Sequence, residues 1–219
     1  MMQITFMFVS YLIGSVSFAV IVSWCFGLPD PHTYGSGNPG ATNVLRTGRK
    51  EAAVLTLLGD AAKGAIVVSL AKRLAPEFNF DEFTLSAVAL AVFIGHLYPI
   101  YFGFKGGKGV STAAGILLAL DLRIAGVALL AWLLAIVVLR YSSLASMVAA
   151  LAATVAAFYL LGWTPFAVMV LIMTALLLWR HRRNMERLLN GSESRVTLWR
   201  GASVRQAPSA DEPRSREAP

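Results

Sequence analysis

Apolar residues in this chain fall in runs of membrane-crossing length, and that constrains its fold more than any single motif. A bilayer's hydrocarbon core takes about 20 consecutive apolar helical residues to cross. Residues 4–27, 52–71, 83–102, 124–139, 144–161 and 166–179 reach or approach that length. A shorter run, Val110–Leu120, is either a short tilted span or a re-entrant helix lining a cavity. With 57% hydrophobic and 14% charged residues, the chain is too apolar for an ordinary soluble domain. The pattern predicts an all-α polytopic membrane protein of about seven transmembrane helices.

Lys and Arg placement orients the spans. Arg46, Arg49, Lys50, Lys105, Lys108, Arg140 and every basic residue from Arg180 onward fall on one side when seven spans are counted. Lys72, Arg73 and Arg123 fall on the other, mixed with Glu77, Asp81, Glu82 and Asp121. The expectation is an N-terminus outside and a cytoplasmic C-terminus. The first run has no basic segment before Ile4 and no small-x-small cleavage site, so it reads as a span rather than a cleaved signal. Cys25 is the only cysteine, excludes an internal disulfide, and reads as packing. The net charge of +7 sits on one membrane face, which suits anionic headgroups or substrates better than nucleic acid. Residues 1–200 form one transmembrane domain in this reading, and 201–219, rich in Pro, Ser and charge, a disordered cytoplasmic tail.

Two polar loops interrupt the apolar runs on the basic side. The first, residues 34–46, reads Tyr-Gly-Ser-Gly-Asn-Pro-Gly-Ala-Thr-Asn-Val-Leu-Arg. Gly35, Gly37 and Gly40 let backbone N–H groups approach an anion. Ser36, Asn38, Thr42 and Asn43 add side-chain donors, and Arg46 a planar bidentate one. The second loop, residues 104–112, reads Phe-Lys-Gly-Gly-Lys-Gly-Val-Ser-Thr. Gly106, Gly107 and Gly109 supply flexible backbone, Lys105 and Lys108 two ammonium groups, and a helix starting near Val110–Ser111 a terminus that favours negative charge. The loop lacks the first glycine of a nucleotide phosphate-binding loop and has Gly109 where that motif needs Ser or Thr. The plainer readings are a turn for the first loop and a positive-inside loop for the second; neither needs so many donors. Ser111 reads as the cap of the helix that begins there.

Within the spans, Asp60 and Lys63 share a helix face. They are either functional intramembrane charges or a self-neutralising strut packed through Gly59 and Gly64. His96 is either a hydrogen-bonded structural residue or a catalyst, and Pro99 is expected to kink its span and shape a pocket. Residues 140–146, with Ser143, are either a helix-capping turn or hydroxyls aimed at a site. The arginines of residues 180–187 read equally as a stop-transfer cluster, but His181 and Asn184, three apart on one helical face, are not required by it. Three scattered histidines and one cysteine support no metal site, no cofactor is expected, and no Ser-His-Asp order or nucleophile elbow is present.

Taken together, these segments resemble the acyl-phosphate-dependent glycerol-3-phosphate acyltransferases of bacterial membranes. The resemblance lies in residues 35–43 with Arg46, residues 59–64, residues 95–99 running into 104–110, residues 140–144, and residues 180–184 with Gly191 and Glu193. It implies transfer of a fatty acyl group from acyl phosphate, not acyl-CoA or acyl carrier protein, to the first hydroxyl of glycerol 3-phosphate. Lysophosphatidate and phosphate result, in the first step of phospholipid synthesis at the bacterial cytoplasmic membrane. A peripheral enzyme that makes acyl phosphate is the implied transient partner. Ser36, Arg46, Lys105, Ser143, His181 and Asn184 are then the catalytic set, with Gly35, Gly37, Asn38, Gly40, Thr42, Asn43, Gly106, Gly107, Lys108 and Gly109 around phosphate. Asp60, Lys63, His96 and Pro99 shape the pocket. Where the family usually carries Asp-x-Arg before the first loop, this chain reads Asp30-Pro31-His32.

From other classes, a transporter for a small phosphorylated solute predicts an inverted repeat and a midplane site. No repeat is visible, and both loops lie on one face. A lipid-binding structural protein leaves both donor-rich loops without a role.

Overall fold

In the computed structural model the described residues are 1–196; the expected tail at 201–219 lies outside them. Among the described residues the regular structure is helical: α1 Met2–Gly14, α2 Phe18–Cys25, α3 Ala41–Val44, α4 Lys50–Phe78, α5 Glu82–Leu97, α6 Val110–Leu120, α7 Leu122–Leu139, α8 Ser142–Leu161, α9 Pro165–Arg180 and α10 Arg182–Leu189. Five helical segments are long and apolar enough to cross a membrane, and α9 with α10, bent by 55° between them, makes a sixth.

The first apolar run is not one continuous helix. It breaks at Ser15–Ser17, where Ser17 accepts from the Val20 N–H and restarts the chain as α2. A break at membrane depth leaves carbonyls without helical partners, and each must be met inside the protein. Lys63 Nζ donates to the Val16 carbonyl at 2.7 Å. Asp60 Oδ1 neutralises that ammonium from 3.0 Å and lies 3.5 Å from His96 Nδ1, off the line of a hydrogen bond, so charge attraction holds the pair. The Thr112 hydroxyl donates to the Asp60 carbonyl at 3.0 Å. The Asp60–Lys63 pair therefore ties the break in the first span to α4, α5 and α6.

Small residues let those helices approach. A Cβ on Gly95 would run into the Tyr11 carbonyl, and one on Gly115 into the Ala61 carbonyl. Thus α5 packs backbone-to-backbone on α1, and α6 on α4, as small residues permit between helices in lipid. Val88, Val92, Phe93 and Leu97 of α5 are fully buried, whereas Leu129, Val137 and Val138 of α7 are exposed, as befits an outer helix.

Contacts sort the connections into two ends. At one end His32 meets Lys105, Lys108 meets Asn184, and Ser143 meets Glu193. At the other, Phe6 packs on Phe80, and Lys72 Nζ caps the α6 carbonyls of Ala119 and Leu120. Helix α6 runs from the first of these ends to the second. Its 11 residues rise only about 17 Å, about half the hydrocarbon thickness. The loop before it is drawn inward as a result, and Gly106, Gly107 and Gly109 are buried.

Several local expectations are corrected. Helix α5 ends at Leu97, so Pro99 terminates the span and starts a 3₁₀ turn over Ile100–Phe102 instead of kinking it. The residue before α6 is Gly109 in the left-handed region, φ +87°, with no side-chain cap, so Ser111 does not cap it. Cys25 is exposed at the end of α2 and does not pack in a core.

Candidate active site

The first loop is built around Asn43, which is buried within the short helix α3. Its Oδ1 accepts from the Ser36 N–H at 2.9 Å and the Ser36 hydroxyl at 3.2 Å. Its Nδ2 donates to the carbonyls of Pro31 at 2.9 Å and Tyr34 at 3.2 Å. Gly35 (φ +58°) and Gly37 (φ +65°) take left-handed turns that L side chains resist. A Cβ on Gly35 would strike Asn43 Oδ1 and lie 3.1 Å from Arg46 Cδ, so the Arg46 side chain runs along the glycine cradle. Arg46 and Thr42 are exposed, and Asn38 and Gly40 are half-buried beside them.

The second loop is held from other elements. Arg180, the last residue of α9, donates from Nη2 to the Gly106 carbonyl at 2.6 Å and from Nε to the Gly107 carbonyl at 3.0 Å. Its guanidinium lies 5.4 Å from the Tyr98 ring centroid. His32 Nε2 lies 2.9 Å from the Lys105 carbonyl oxygen, and its Nδ1 2.7 Å from Asp30 Oδ1. The Gly107 N–H donates to the His96 carbonyl at 3.0 Å, and a Cβ on Gly107 would strike the His96 ring. His96 is thus the buried floor of this loop. The Lys105 side chain itself is exposed.

Lys108 points into a polar network. Its Nζ donates to Asn184 Oδ1 at 2.6 Å, and Asn184 Nδ2 donates to Glu193 Oε1 at 2.6 Å. Glu193 also accepts from the Ser143 hydroxyl at 2.6 Å and from Arg187 Nε at 2.7 Å. Burial pushes the Lys108 ammonium down to about 8; the charges of Arg187, Arg180 and Arg46 add to the shift, and Glu193 opposes it. Burial alone would push Glu193 up, but its bonds from Ser143, Arg187 and Asn184 outweigh that and hold it below the ordinary glutamate range. Arg187 pairs with Glu193 directly and Lys108 reaches it through Asn184, while Arg180 and Arg46 add further positive charge near Lys108; that excess favours binding of a phosphate dianion.

His181 occupies the bend between α9 and α10. Its Nδ1 is 2.8 Å from the Leu177 carbonyl, which only accepts, so Nδ1 carries the proton and Nε2 the lone pair. His181 and Asn184 do not share a face of one continuous helix, because the chain turns between α9 and α10.

The structure therefore divides the sequence candidates into groups. Lys108, Asn184 and Ser143 join one network, Ser36, Gly35, Asn43 and Arg46 another, and His32 links the loops. Asp60, Lys63 and His96 lie beneath as support. Ser143 donates to Glu193 and does not cap α8. Sequence reasoning left His32, Glu193, Arg180 and Arg187 out of the candidate set, though His32 links the loops and Glu193 is the hub of the network. Its signal was its place beside Gly191, which takes φ +68° and turns the chain back.

A family model described as glycerol-3-phosphate acyltransferase matches residues 4–191. The chain is 53% identical over 196 residues to a glycerol-3-phosphate acyltransferase of Thiobacillus denitrificans, covering 90% of this chain and 98% of that one. It is 56% identical over 199 residues to one of Cupriavidus pinatubonensis, covering 90% and 97%. A crystal structure of PlsY, an integral membrane glycerol 3-phosphate acyltransferase, in its glycerol 3-phosphate form superposes with a TM-score of 0.83 at 37% identity, covering 90% of this chain and 96% of that chain. The lysophosphatidic acid form superposes with a TM-score of 0.81 over 89% and 95%. With that match along nearly all the described helices, the chain belongs to the glycerol-3-phosphate acyltransferase family of integral membrane proteins.

Proposed function

We propose that this protein transfers a fatty acyl group from acyl phosphate to the sn-1 hydroxyl of glycerol 3-phosphate, releasing lysophosphatidic acid and inorganic phosphate. The observation that carries the reading is the set of cations at two glycine loops: Arg46 runs along the first, and Lys108 belongs to the second, which Arg180 holds. Both substrates bear phosphate, and such a site holds both while stabilising the departing charge.

Acyl phosphate is a mixed anhydride, already activated, so the site has little need of a covalent nucleophile. The glycerol hydroxyl oxygen bonds to the acyl carbon, the bond from that carbon to the phosphate oxygen breaks, and the hydroxyl proton passes to a phosphate oxygen. Alignment of hydroxyl and carbonyl supplies much of the acceleration. In this reading Arg46 and Lys105 hold the phosphates, with Gly35, Asn38, Gly40, Thr42, Gly106, Lys108 and Gly109 around them, while Gly37 and Gly107, whose N–H groups donate to the Tyr34 and His96 carbonyls, shape the two turns. Ser36 donates from the first cradle. Ser143 and Asn184 meet substrate from the Glu193 network, and His181 Nε2 accepts from the glycerol hydroxyl. Residues 1–200 act as one membrane domain in the bacterial cytoplasmic membrane, its N-terminus outside and the loop-rich end toward the cytoplasm. There a soluble acyl-phosphate-forming enzyme meets it transiently.

Purified protein supplied with labelled glycerol 3-phosphate and acyl phosphate is expected to form lysophosphatidic acid and phosphate in equal amounts. Equal product from acyl-CoA in place of acyl phosphate overturns the donor assignment, and no product from either overturns the function.

A further inference from the structure

Three successive carbonyls of the second loop, those of Lys105, Gly106 and Gly107, are held by side chains from outside it: His32 on the first, Arg180 on the other two. His32 is anchored by Asp30 and lies against the Phe102 ring, centroids 6.1 Å apart. Arg180 is anchored over Tyr98. The opposite side of the loop is closed, since a Cβ on Gly106 would meet the His96 and Leu97 carbonyls.

A trans peptide directs its N–H opposite its C=O. Fixing the carbonyls of residues 105–107 therefore fixes the N–H directions of residues 106–108. The Gly107 N–H is taken by His96, whereas among the described residues the Lys108 N–H has no protein partner. Arg180 spends Nε and Nη2 on carbonyls, which is work for a brace more than for a phosphate ligand. His32 lies between two acceptors, the Asp30 carboxylate and the Lys105 carbonyl.

We propose that His32 and Arg180 are positioning residues, a clamp on the carbonyl face of the second loop that aims its amides and the Lys105 and Lys108 side chains at a substrate phosphate. This rests on the proposed function, in which that loop holds phosphate. The clamp joins three segments distant in sequence: the approach to the first loop, the second loop, and the end of α9.

His32→Ala and Arg180→Ala are each expected to raise KM for glycerol 3-phosphate about ten- to a hundredfold, with a smaller change in kcat. Because the clamp acts through the lysines, the Arg180→Ala effect should shrink in a Lys108→Ala background, and that of His32→Ala in a Lys105→Ala background. His32→Arg, which offers donors to both acceptors, should restore KM, and Arg180→Lys should restore it in part. Additive effects in both cycles, or an unchanged KM, overturn the clamp. Should Arg180→Ala not yield folded protein, Arg180→Lys carries the same cycle with Lys108→Ala. A folded wild-type protein that makes no lysophosphatidic acid sinks the functional reading instead. Calorimetric titration with glycerol 3-phosphate then reads the clamp alone, and equal affinity, or none, in wild type and variants overturns it.

Discussion

The two glycine loops look alike in sequence and are stabilised in opposite ways. The first is assembled by its own Asn43, whose four hydrogen bonds all end between Pro31 and Ser36. It stays largely exposed, with Gly35, Ser36 and Gly37 open. The second has no internal organiser. His32, Arg180 and His96 hold it from three other segments, and its glycines are buried. A locally built loop tolerates change at its rim, whereas a loop built by its surroundings tolerates none at its contacts.

The largest expected effect tests that difference directly. Gly106→Ala places a methyl against the His96 and Leu97 backbone carbonyls, which have no side-chain freedom to yield. Overpacking of this kind costs about 1–3 kcal/mol or more, and the displaced loop should lower turnover at least about a hundredfold. Gly40→Ala in the first loop meets only the end of the Asn38 side chain at 3.0 Å, at an extended φ of −159°. Turnover within about threefold of wild type is expected there. Comparable losses in both variants, in purified protein of matched folding, would break the comparison.

Asn43→Ala comes next. It removes the organiser of the first loop and orphans the buried Pro31 carbonyl, at about 1–3 kcal/mol. Turnover should fall about tenfold or more, while the alkaline limb set by Lys108 stays in place because Asn43 bonds neither Lys108 nor its Asn184–Glu193 network. A shift of that limb in Asn43→Ala would show that the loops are one unit.

How much of this was legible in the sequence follows the same division. The first loop's donors and glycines could be read locally, because Asn43 and its partners lie within thirteen residues. The Asp60–Lys63 pair was legible as a spacing, but its purpose was not, since the Val16 carbonyl it serves lies in a span that reads as unbroken. Glu193, Arg180 and Arg187 were obscured because a basic cluster after a last span satisfies topology on its own. The 55° bend at His181 that folds α10 and Glu193 back over the site leaves no helix-breaking residue in the sequence to mark it. Helix α6 was legible as too short; where it leads depended on its contacts with Lys72.

A smaller effect is expected with pH. The Lys108 ammonium, pushed down to about 8 by burial and neighbouring arginines, is charged below that pH and loses its proton above it. The specificity constant kcat/KM reports the free enzyme. It should therefore fall about tenfold per unit as pH rises beyond about 8, far below the free lysine range near 10.4. Lys108→Arg stays charged and should lose that limb, whatever its absolute rate. A limb that persists in Lys108→Arg assigns the titration to another group.

The smallest effect is expected at His181, on neither loop. General-base catalysis is worth about 10²–10⁴-fold, and a base poised for neutral pH would titrate near it. The Nδ1–H of His181 is instead committed to a backbone carbonyl, that of Leu177, which leaves Nε2 a lone-pair acceptor able to orient a hydroxyl. Among the described residues no carboxylate pairs with the ring to strengthen it as a base. His181→Asn places an amide of similar reach at the bend and should retain activity within about tenfold of wild type, the worth of one hydrogen bond. The wild-type kcat/KM profile should show no limb near the free imidazole value of about 6.5. Complete inactivity of folded His181→Asn, together with such a limb in wild type, would make His181 the base and move the chemistry from the two loops to the bend between α9 and α10.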